Sequence, residues 1–456
     1  MSFTLRPYQE AAVAGAELAF RQHRSALVVM ATGLGKTVVA TALAGRCGGR
    51  ALLVAHREEL VQQARSKLES ALGQPCGVEM ATERAPVECQ AVAASVQTLA
   101  SPGRLERFTP DAFRLVIVDE AHHATARTWR RVLDHFRSAK VLGMTATPDR
   151  TDGRPLGGIF ETVAYQYDIL NGIEGGWLVP IQQQFVRVRG LDFSRTTIKA
   201  GDFDQGELAK VMEIEAHCHA VASATLQYAK GPTILFAVTV RQAEKIAEIL
   251  NRHRENHAKW ICGDLPRTKR RTILAGFEAG ECKVVSNVHV LSEGYDGPFV
   301  QTIVMARPTL SRLIYTQQIG RALRPLSGLV DGIRGAEARR QQIARSPKPH
   351  ACVLDLTGNS GRHKLITTAD VLGGRDDARV VELAKSIARR ASQKGEACDM
   401  LAALKEARRR KGIVADAICR VRDVSPFPRS MRILEFADPH APAVQQWIQD
   451  YQSTTT

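Results

Sequence analysis

A stretch of seven residues, 31–37, has the residue types and the order needed to bind the phosphates of a nucleotide. It reads Ala-Thr-Gly-Leu-Gly-Lys-Thr and follows an apolar run. Gly33 and Gly35 permit positive φ, so successive backbone N–H groups can turn inward around phosphate oxygens. Lys36 can reach the β- and γ-phosphates, and the hydroxyl of Thr37 can bind Mg²⁺. The stretch predicts a phosphate-binding loop between a strand and a helix.

The loop departs from the strict phosphate-loop pattern at one position. That pattern requires a glycine five residues before Gly35, and this chain has Met30 there. A Gly-Lys-Thr sequence after a buried strand could also be only a tight turn. A pair of acidic residues further along the chain makes this alternative much weaker.

The acidic pair, Asp119 and Glu120, directly follows the β-branched run at 115–118. A run of this kind predicts a central parallel strand that delivers both carboxylates to the same edge as the loop. Asp119 can hold Mg²⁺ through water, and Glu120 can orient and deprotonate the water that attacks the γ-phosphate. The pair therefore indicates hydrolysis of a nucleoside triphosphate.

The second half of the chain contains a third polar set, Gln317, Arg321 and Arg324. Their spacing of i, i+4 and i+7 would place all three on one face of a helix. Arginine suits a phosphate target because its planar guanidinium stays charged and pairs with two oxygens at once. The alternative is an exposed basic helix.

Parallel strands are needed to bring these residues together, because ligands gather at the carboxyl ends of such strands. Apolar runs predict strands at 26–30, 51–55, 115–118, 141–144, 233–238, 259–262 and 283–287. Between the two groups, residues 149–194 are rich in glycine and contain Pro155 and Pro180, which suits a connector between two lobes.

Several further polar residues lie at predicted strand ends. Thr145 and Thr147 flank an alanine at a strand tip, where their hydroxyls can couple the acidic pair to a second domain, and His122 is placed to assist. Arg57, Thr98 and Thr239 could contact a nucleic-acid backbone, although ordinary surface polarity explains each of them equally well. The candidates are therefore His122, Thr145 and Thr147 for coupling, and Arg57, Thr98 and Thr239 for nucleic-acid binding.

Composition narrows the class of partner and compartment. The 456 residues suffice for two or three domains, and a net charge of +15 favours a polyanion such as nucleic acid over a merely basic surface. Nine cysteines without a Cys-x-x-Cys pair indicate reduced thiols in a cytosol-like compartment. No apolar run approaches the roughly 18 residues of a membrane span. We expect a protein that is not secreted, in the cytoplasm or at the nucleoid.

The motifs together resemble those of superfamily 2 DExH helicases. Ala-Thr-Gly-Leu-Gly-Lys-Thr, Asp-Glu-Ala-His and Thr-Ala-Thr are similar to motifs I, II and III, and Gln-x-x-Gly-Arg-x-x-Arg is similar to motif VI. The opening Arg-Pro-Tyr-Gln is similar to the adenine-reading motif of the branch that contains excision-repair helicases and restriction-enzyme translocase subunits. The resemblance implies ATP and Mg²⁺ as cofactors.

The resemblance also assigns residues. For catalysis it implies Lys36, Asp119, Glu120, Gln317, Arg321 and Arg324. For ATP binding it implies Arg6, Gln9, Thr32, Gly33, Leu34, Gly35, Lys36, Thr37 and Asp296, with Thr37 and Asp119 at the metal. Gly294, in a segment similar to motif V, joins the coupling residues.

The implied fold is α/β, with two tandem RecA-like parallel-sheet lobes and a helical C-terminal extension. We expect lobe 1 at 1–165, a connector at 166–205, lobe 2 at 206–369 and a basic, helical extension at 370–456. Its densest charge run, 408–411, could contact nucleic acid or a partner protein, or could be a solvated face.

The function implied by the resemblance is that of an ATP-dependent DNA helicase or translocase. It would move 3′ to 5′ as a monomer and hydrolyse ATP between its two lobes. The alternatives are a duplex-tracking translocase that serves a nuclease or remodelling complex, an RNA helicase, and a nucleotide-gated binding module without turnover. Charge alone does not choose between DNA and RNA.

Overall fold

The computed structural model describes residues 4–124, 126–147, 158–360, 363–374 and 376–410, together with two short strands at 420–423 and 432–435. The chain forms two compact units that divide between Asn171 and Gly172, and the two short strands belong to the first unit. Among the described residues, no helix combines the length and the apolar character that a membrane span requires.

The first unit is an α/β sheet with helices between its strands. Its helices are α1 (Pro7–Gln22), α2 (Lys36–Arg46), α3 (Glu58–Leu72), α4 (Val96–Leu99) and α5 (Arg127–His135). Its strands are β1 (Ser25–Met30), β2 (Ala51–Ala55), β3 (Gly77–Glu79), β4 (Ala91–Ser95), β5 (Leu115–Val118), β6 (Lys140–Thr145) and β7 (Thr162–Tyr167). These seven strands pair in parallel in the order β7-β1-β6-β5-β2-β4-β3.

The second unit contains another parallel sheet. Its strands are β8 (Ile181–Asp192), β9 (Ile198–Lys199), β10 (Asp202–Phe203), β11 (Thr233–Phe236), β12 (Ala258–Ile261), β13 (Val284–Asn287), β14 (Thr302–Met305), β15 (Ala351–Asn359) and β16 (Cys398–Asp399). The order is β12-β13-β11-β14-β15-β8-β16, and β16 alone in this sheet runs antiparallel to its neighbour; β9 and β10 form a separate antiparallel pair.

Helices complete the second unit, and α6 (Ile169–Glu174) contains the point of division. They are α7 (Gln205–Met212), α8 (Glu215–Tyr228), α9 (Val240–His253), α10 (Arg267–Ala279), α11 (Arg312–Ile319), α12 (Ala336–Ala344), α13 (Thr368–Leu372), α14 (Ala378–Gln393) and α15 (Met400–Arg410). The short strands β17 (Arg420–Asp423) and β18 (Arg432–Glu435) extend the first sheet beside β7.

Burial explains why these segments are strands. β1, β2, β4 and β5 are buried along their whole length, and so are β11, β13 and β14. Parallel strands covered by helices on both faces read as continuous apolar runs, which is the pattern in the sequence. The two parallel-sheet lobes expected from the resemblance are therefore present.

The boundaries around the expected connector differ from the expectation. Residues 166–205 include β8, which lies inside the second sheet. Its residues Ile181 to Arg187 pair with Ala351 to Thr357 of β15. The glycine and proline content of the region indicated a connector, but residues 181–192 form a strand of the sheet. Their burial comes from pairing with a strand about 170 residues away, which local composition does not encode.

Residues 370–410 also belong to the second unit and do not form a separate extension. Cys398 of β16 pairs with Gln183 of β8, and α14 packs against the same strand. The expectation of a helical segment there is confirmed by α13, α14 and α15. Residues 411–419, 424–431 and 436–456 of the expected extension lie outside the described residues.

The arginines of the basic run at 408–410 all pair with carboxylates of their own unit. The Arg408 guanidinium donates two hydrogen bonds to the Asp376 carboxylate, at 3.0 and 2.9 Å. Arg409 and Arg410 both pair with Glu406. Lys411 lies outside the described residues. A run that looked like a surface for nucleic acid thus has its own carboxylates as partners.

A buried polar network connects helix α11 to β8, β15 and α13. Asp355 accepts hydrogen bonds from the Tyr315 hydroxyl and from the Gln183 amide, both at 2.8 Å. The Thr368 hydroxyl contacts Tyr315 at 3.1 Å and also bonds Gln183. Burial of the carboxyl raises the pKa of Asp355 to about 7. The network uses residues from four elements, so it holds them in one arrangement.

This pKa predicts how stability depends on pH. The native Asp355 binds a proton between about pH 4 and pH 7 that the unfolded chain has released, so the group's contribution to unfolding free energy falls as pH rises through that window. Asp355→Asn should remove this contribution. Urea unfolding at pH 5 and pH 8, followed by circular dichroism, should show a larger loss of stability in the parent than in the variant. Asp264→Asn, an exposed substitution, is the control. An equal loss in parent and Asp355→Asn would contradict this prediction.

Candidate functional site

The loop after β1 has the backbone conformation that phosphate binding requires. Gly33 and Gly35 have φ of +89° and +80°, and Gly35 is the N-cap of α2, which starts at Lys36. The first N–H groups of α2 have no intrahelical partner, so they are available to an anion in the loop. A Cβ at Gly35 would lie 2.6 Å from Nε2 of Gln9, so a side chain there would be strained and would also clash.

Lys36 and Thr37 occupy the first turn of α2. The Lys36 ammonium donates to the Met30 carbonyl at 3.4 Å, which holds it at the end of β1 beneath the loop. Thr32, earlier in the loop, is buried. The loop, the lysine and the hydroxyl of Thr37 therefore occupy the same end of β1 and α2.

Helix α1 fixes the loop from the other side. The Tyr8 hydroxyl and the Gln9 amide both donate to the Leu34 carbonyl, at 3.0 and 3.1 Å. Oε1 of Gln9 accepts from the Arg6 backbone N–H at 3.0 Å. Tyr8 is fully buried, and its ring stacks on Tyr167 with centroids 4.8 Å apart. Gln9 and Arg6 thus lie beside the loop, with both polar atoms of the Gln9 amide bonded to backbone groups, while Tyr8 is a contact that residue patterns did not identify.

The acidic pair lies at the end of β5. Glu120 has left-handed backbone angles, φ 49° and ψ 57°, and begins a 3₁₀ turn at Ala121–His123. Its N–H donates to Oδ1 of Asp119 at 3.0 Å. Burial and the neighbouring Glu120 charge raise the pKa of Asp119, and Lys36 opposes the shift. The Lys36 ammonium therefore lies near enough to the Asp119 carboxylate for its charge to favour the ionised form.

The site has the oxygen ligands that Mg²⁺ prefers. Asp119 supplies a carboxylate and Thr37 a hydroxyl. Oε2 of Glu120 is buried, accepts no hydrogen bond from the described residues and lies 3.4 Å from Nδ1 of His122. A buried carboxylate oxygen without a donor is costly unless a ligand or water satisfies it. The residues present therefore fit a magnesium nucleotide and a nucleophilic water.

Polar contacts run from the acidic pair to the end of β6. Nδ1 of His122 lies 3.4 Å from Oε2 of Glu120 and 3.5 Å from Oγ1 of Thr145. The Thr145 hydroxyl donates to the Thr147 carbonyl at 2.8 Å. All four side chains are buried. The three expected coupling residues of this unit are thus brought together beside Glu120.

The expected geometry of Gln317, Arg321 and Arg324 is wrong in one respect. Helix α11 ends at Ile319 with Gly320 as its C-cap, so the two arginines lie in the turn that follows and not on the helix face. Gly320 weakens helix continuation, and Pro325 disfavours the helical conformation at the residue before it. These local signals outweigh the i, i+4, i+7 spacing.

Both arginines nevertheless contact the segment 292–296. The Arg321 guanidinium donates to the Tyr295 carbonyl at 2.6 Å and to the Ser292 carbonyl at 2.9 Å. Arg324 forms an ion pair with Asp296. Gly294 lies inside this segment with φ of +75°.

Gln317 reaches the same segment, because its amide donates to the Glu293 carboxylate at 3.3 Å. All three motif VI side chains therefore converge on residues 292–296. The convergence replaces the shared helix face that the spacing predicted, and it links the segments similar to motifs V and VI within one unit.

A buried lysine that sequence reasoning missed lies behind Arg324. Lys348 is 2% exposed, and its ammonium donates to the carbonyls of Arg324 and Pro298, at 2.6 and 2.7 Å. Burial, and secondarily the Arg324 charge, lower the pKa of Lys348 to about 7. Lys348 ties the Arg324 turn to the residues after Asp296. No motif marks a lysine whose partners are backbone carbonyls.

The three candidate nucleic-acid residues lie on separate elements. Arg57 is the N-cap of α3. The Thr98 hydroxyl accepts from the Ala81 N–H at 3.0 Å. The Thr239 hydroxyl caps α9 by accepting from the Gln242 N–H at 3.1 Å and also bonds the Glu213 carboxylate. That these three residues contact nucleic acid stays a prediction.

Two family models match the chain. The model described as "Type III restriction enzyme, res subunit" matches residues 2–150, and the model "Helicase conserved C-terminal domain" matches residues 214–325. The first match contains the phosphate loop and the acidic pair, and the second contains 292–296 and the motif VI arginines up to Arg324.

Relatives agree with these matches. The chain is 30% identical over 347 residues to the protein named "Putative ATP-dependent helicase IRC3" of Saccharomyces cerevisiae, across 70% of this chain and 49% of that protein. It is 29% identical to the type I restriction enzyme EcoAI endonuclease subunit of Escherichia coli, across 49% of this chain and 31% of that subunit. The chain spans about half the length of the curated helicases that it matches.

A solved structure shares the fold. The type ISP restriction-modification enzyme LlaBIII bound to DNA aligns with 100% of this chain and 33% of its own, with a TM-score of 0.58 at 14% identity. The matched models, the relatives and the motif geometry together place the chain in superfamily 2 of the helicases, in the branch that it shares with IRC3 helicases and restriction-enzyme subunits.

Proposed function

We propose that this chain is a motor that hydrolyses ATP with Mg²⁺ to move along DNA in the 3′ to 5′ direction. The observation that carries the proposal is the convergence, at one edge of the first sheet, of the glycine loop, Lys36, Asp119 and Glu120. Each has the conformation or environment that hydrolysis needs. The proposal rests further on the net charge of +15, which favours a polyanionic track.

The chemistry follows from the roles of the side chains. The loop N–H groups and Lys36 bind the phosphates, and Gln9 with Arg6 holds the adenine side. Thr37 and Asp119 would hold Mg²⁺, which would supply positive charge to the β- and γ-phosphates. The Glu120 carboxylate, with one oxygen lacking a donor, accepts the proton of the attacking water. His122, which contacts both residues, then transmits the protonation of Glu120 to Thr145.

Arg321 and Arg324 have different parts in this proposal. Arg324 pairs with Asp296 where the two side chains are 38% and 53% exposed, and an ion pair of that kind contributes only about 0–1 kcal/mol. Arg324 can therefore exchange Asp296 for the γ-phosphate at little cost. Arg321 donates to two backbone carbonyls, which fixes the turn that carries Arg324. We assign Arg324 as the arginine finger and Arg321 chiefly to positioning.

A duplex-tracking translocase without strand separation is the second candidate. It is supported by the match of residues 2–150 to the res subunit of a type III restriction enzyme. Such a motor would share every step of the ATP chemistry. It would differ in its track, since it would follow intact duplex and leave the strands paired.

The roles of Lys36 and Glu120 predict different losses. Lys36→Ala should abolish turnover and weaken ATP binding, because the lysine contacts the phosphates in every state. Glu120→Gln should keep ATP bound while turnover falls by about 10²–10⁴, since only the general base is lost. Phosphate release and equilibrium binding of a fluorescent ATP analogue measure both effects, with exposed Glu88→Gln as the control. Normal turnover by Glu120→Gln would refute the general-base assignment.

The arginine assignment predicts a split between binding and turnover. Arg324→Ala should leave ATP affinity nearly unchanged and reduce strand-stimulated turnover on the order of 10³-fold. Asp296→Asn, which releases Arg324 but keeps a hydrogen-bonding side chain at this ATP-binding candidate, should reduce turnover far less. Steady-state kcat and KM separate the two effects, and Arg334→Ala serves as a control that removes an exposed arginine of the same unit. Full turnover by Arg324→Ala would show that another group supplies the positive charge.

Direction and substrate are tested with tailed duplexes. The protein should unwind a partial DNA duplex that has a 3′ tail and fail on one with a 5′ tail. ATP hydrolysis stimulated by blunt duplex without unwinding would instead support the duplex-tracking candidate. Stimulation by RNA alone would exclude DNA as the track.

A further inference from the structure

A cavity in the second unit is lined by none of the residues of the segments similar to motifs V and VI. It has a volume of about 850 Å³ and is bounded by β8, the end of β15, residues 363–367 and helix α14. Pockets that enclose small ligands have volumes of roughly 300–1,000 Å³. None of the residues assigned above to ATP or strand binding lines it. The cavity therefore needs a ligand of its own if it has a function.

Three cationic side chains line this cavity and form no ion pair among the described residues: Arg187, Lys364 and Arg389. All three are exposed. The hydrogen bond from Lys385 lowers the pKa of the Glu382 carboxyl, and the charges of Arg389 and Lys364 add to this effect. The contrast with Arg408, Arg409 and Arg410 is informative, because those arginines are all paired internally. The cavity lining therefore carries cations that form no ion pair with the described residues, whereas the arginines of the basic run that the sequence singled out are all paired.

The acidic side chains of the cavity do not cancel this charge. Glu382 pairs with Lys385 at 2.9 Å, and Lys385 also bonds Asp370 at 2.7 Å. Asp355 is buried and already accepts two hydrogen bonds. Its raised pKa leaves it partly protonated near neutral pH. The lining therefore attracts an anion.

Aromatic rings supply the second half of the chemistry. Phe185 and Tyr228 both line the cavity, and the Arg389 guanidinium lies 6.0 Å from the centroid of the Phe185 ring. Bases stack on aromatic rings and on arginine planes in proteins that bind single strands without sequence preference. Exposed cations beside aromatic walls fit a ligand that has both a phosphate and a planar ring.

We propose that this cavity binds a nucleotide, with Arg187, Lys364 and Arg389 on the phosphate and Phe185 or Tyr228 against the base. The nucleotide is either part of a single strand or a free nucleoside monophosphate. The site would give the proposed motor a contact with its track that is independent of the ATP chemistry. It rests on the proposed function only for the identity of the strand.

The first test uses the full chain with the triple substitution Arg187→Ala, Lys364→Ala and Arg389→Ala. The matched control is Arg390→Ala, Arg409→Ala and Arg410→Ala, which removes the same charge from exposed residues outside the cavity lining. Fluorescence anisotropy with a labelled oligothymidine, at several salt concentrations and without ATP, measures affinity. The cavity variant should bind at least tenfold more weakly at low salt. Its salt slope should fall by up to about 2, at roughly 0.7 per lost phosphate contact.

The second test locates the base. A strand containing 5-iodouracil, irradiated on the unmodified protein, should crosslink to Tyr228 or Phe185, as found by peptide mass spectrometry. Loss of the adduct on adding excess oligothymidine but not thymidine monophosphate identifies a strand as the natural source. Loss with millimolar thymidine monophosphate identifies a free nucleotide.

Equal weakening in the cavity variant and the control, or the absence of an adduct at both rings, would overturn the proposal. ATP hydrolysis without nucleic acid should be the same in the cavity variant as in the parent, because none of the three residues belongs to the ATP site. Absence of hydrolysis in the parent would instead count against the proposed function and leave the cavity result to stand alone.

Discussion

The need to hold a phosphate by backbone N–H groups constrains the whole first unit. Those groups must be unused by the sheet yet fixed in direction, and a parallel strand followed by a helix meets both demands at its carboxyl end. The order β1-β6-β5 then decides which other residues can act there. Because β6 lies between the other two strands, Thr145 separates the loop from the acidic pair and contacts His122. The alternation of strands and helices in the sequence produces the carboxyl edge of the sheet. The order of the strands then decides which residues meet at that edge.

Backbone conformation is specialised at the same edge. Gly33 and Gly35 have positive φ without a steric penalty, whereas Glu120 has φ of +49° with a full side chain. A residue other than glycine in that region costs roughly 1–3 kcal/mol and persists only where its surroundings enforce it. Here the Glu120 N–H bonds Asp119, and the residue starts a short 3₁₀ turn. One carboxylate thus accepts from the Glu120 N–H while the next lies beside His122, so adjacent residues can have separate roles.

Sequence reasoning recovered what is encoded locally. The strand at 115–118 and the strand–loop–helix at the glycine loop each follow from a few consecutive residues. It failed where two local signals competed or where a distant partner decided. Helix α11 ended at Gly320 although the arginine spacing favoured continuation. β8 entered the sheet because of β15, and Tyr8 reached the loop through a carbonyl 26 residues away. Every residue has a backbone carbonyl, so a contact with one is not marked by any residue pattern in the sequence.

Lys348 shows how such a contact shapes the electrostatics of the second unit. A buried ammonium without a carboxylate is normally unfavourable, and here a second cation, Arg324, is its neighbour. With a pKa of about 7, the amine is neutral for much of the time, and a neutral amine still donates to the carbonyls of Pro298 and Arg324. The tie between the two segments therefore does not depend on the charge of the lysine. A permanently charged arginine in its place would add repulsion beneath Arg324. The balance of charge at Arg324 is accordingly set on its exposed side, by Asp296 or by whatever anion displaces it.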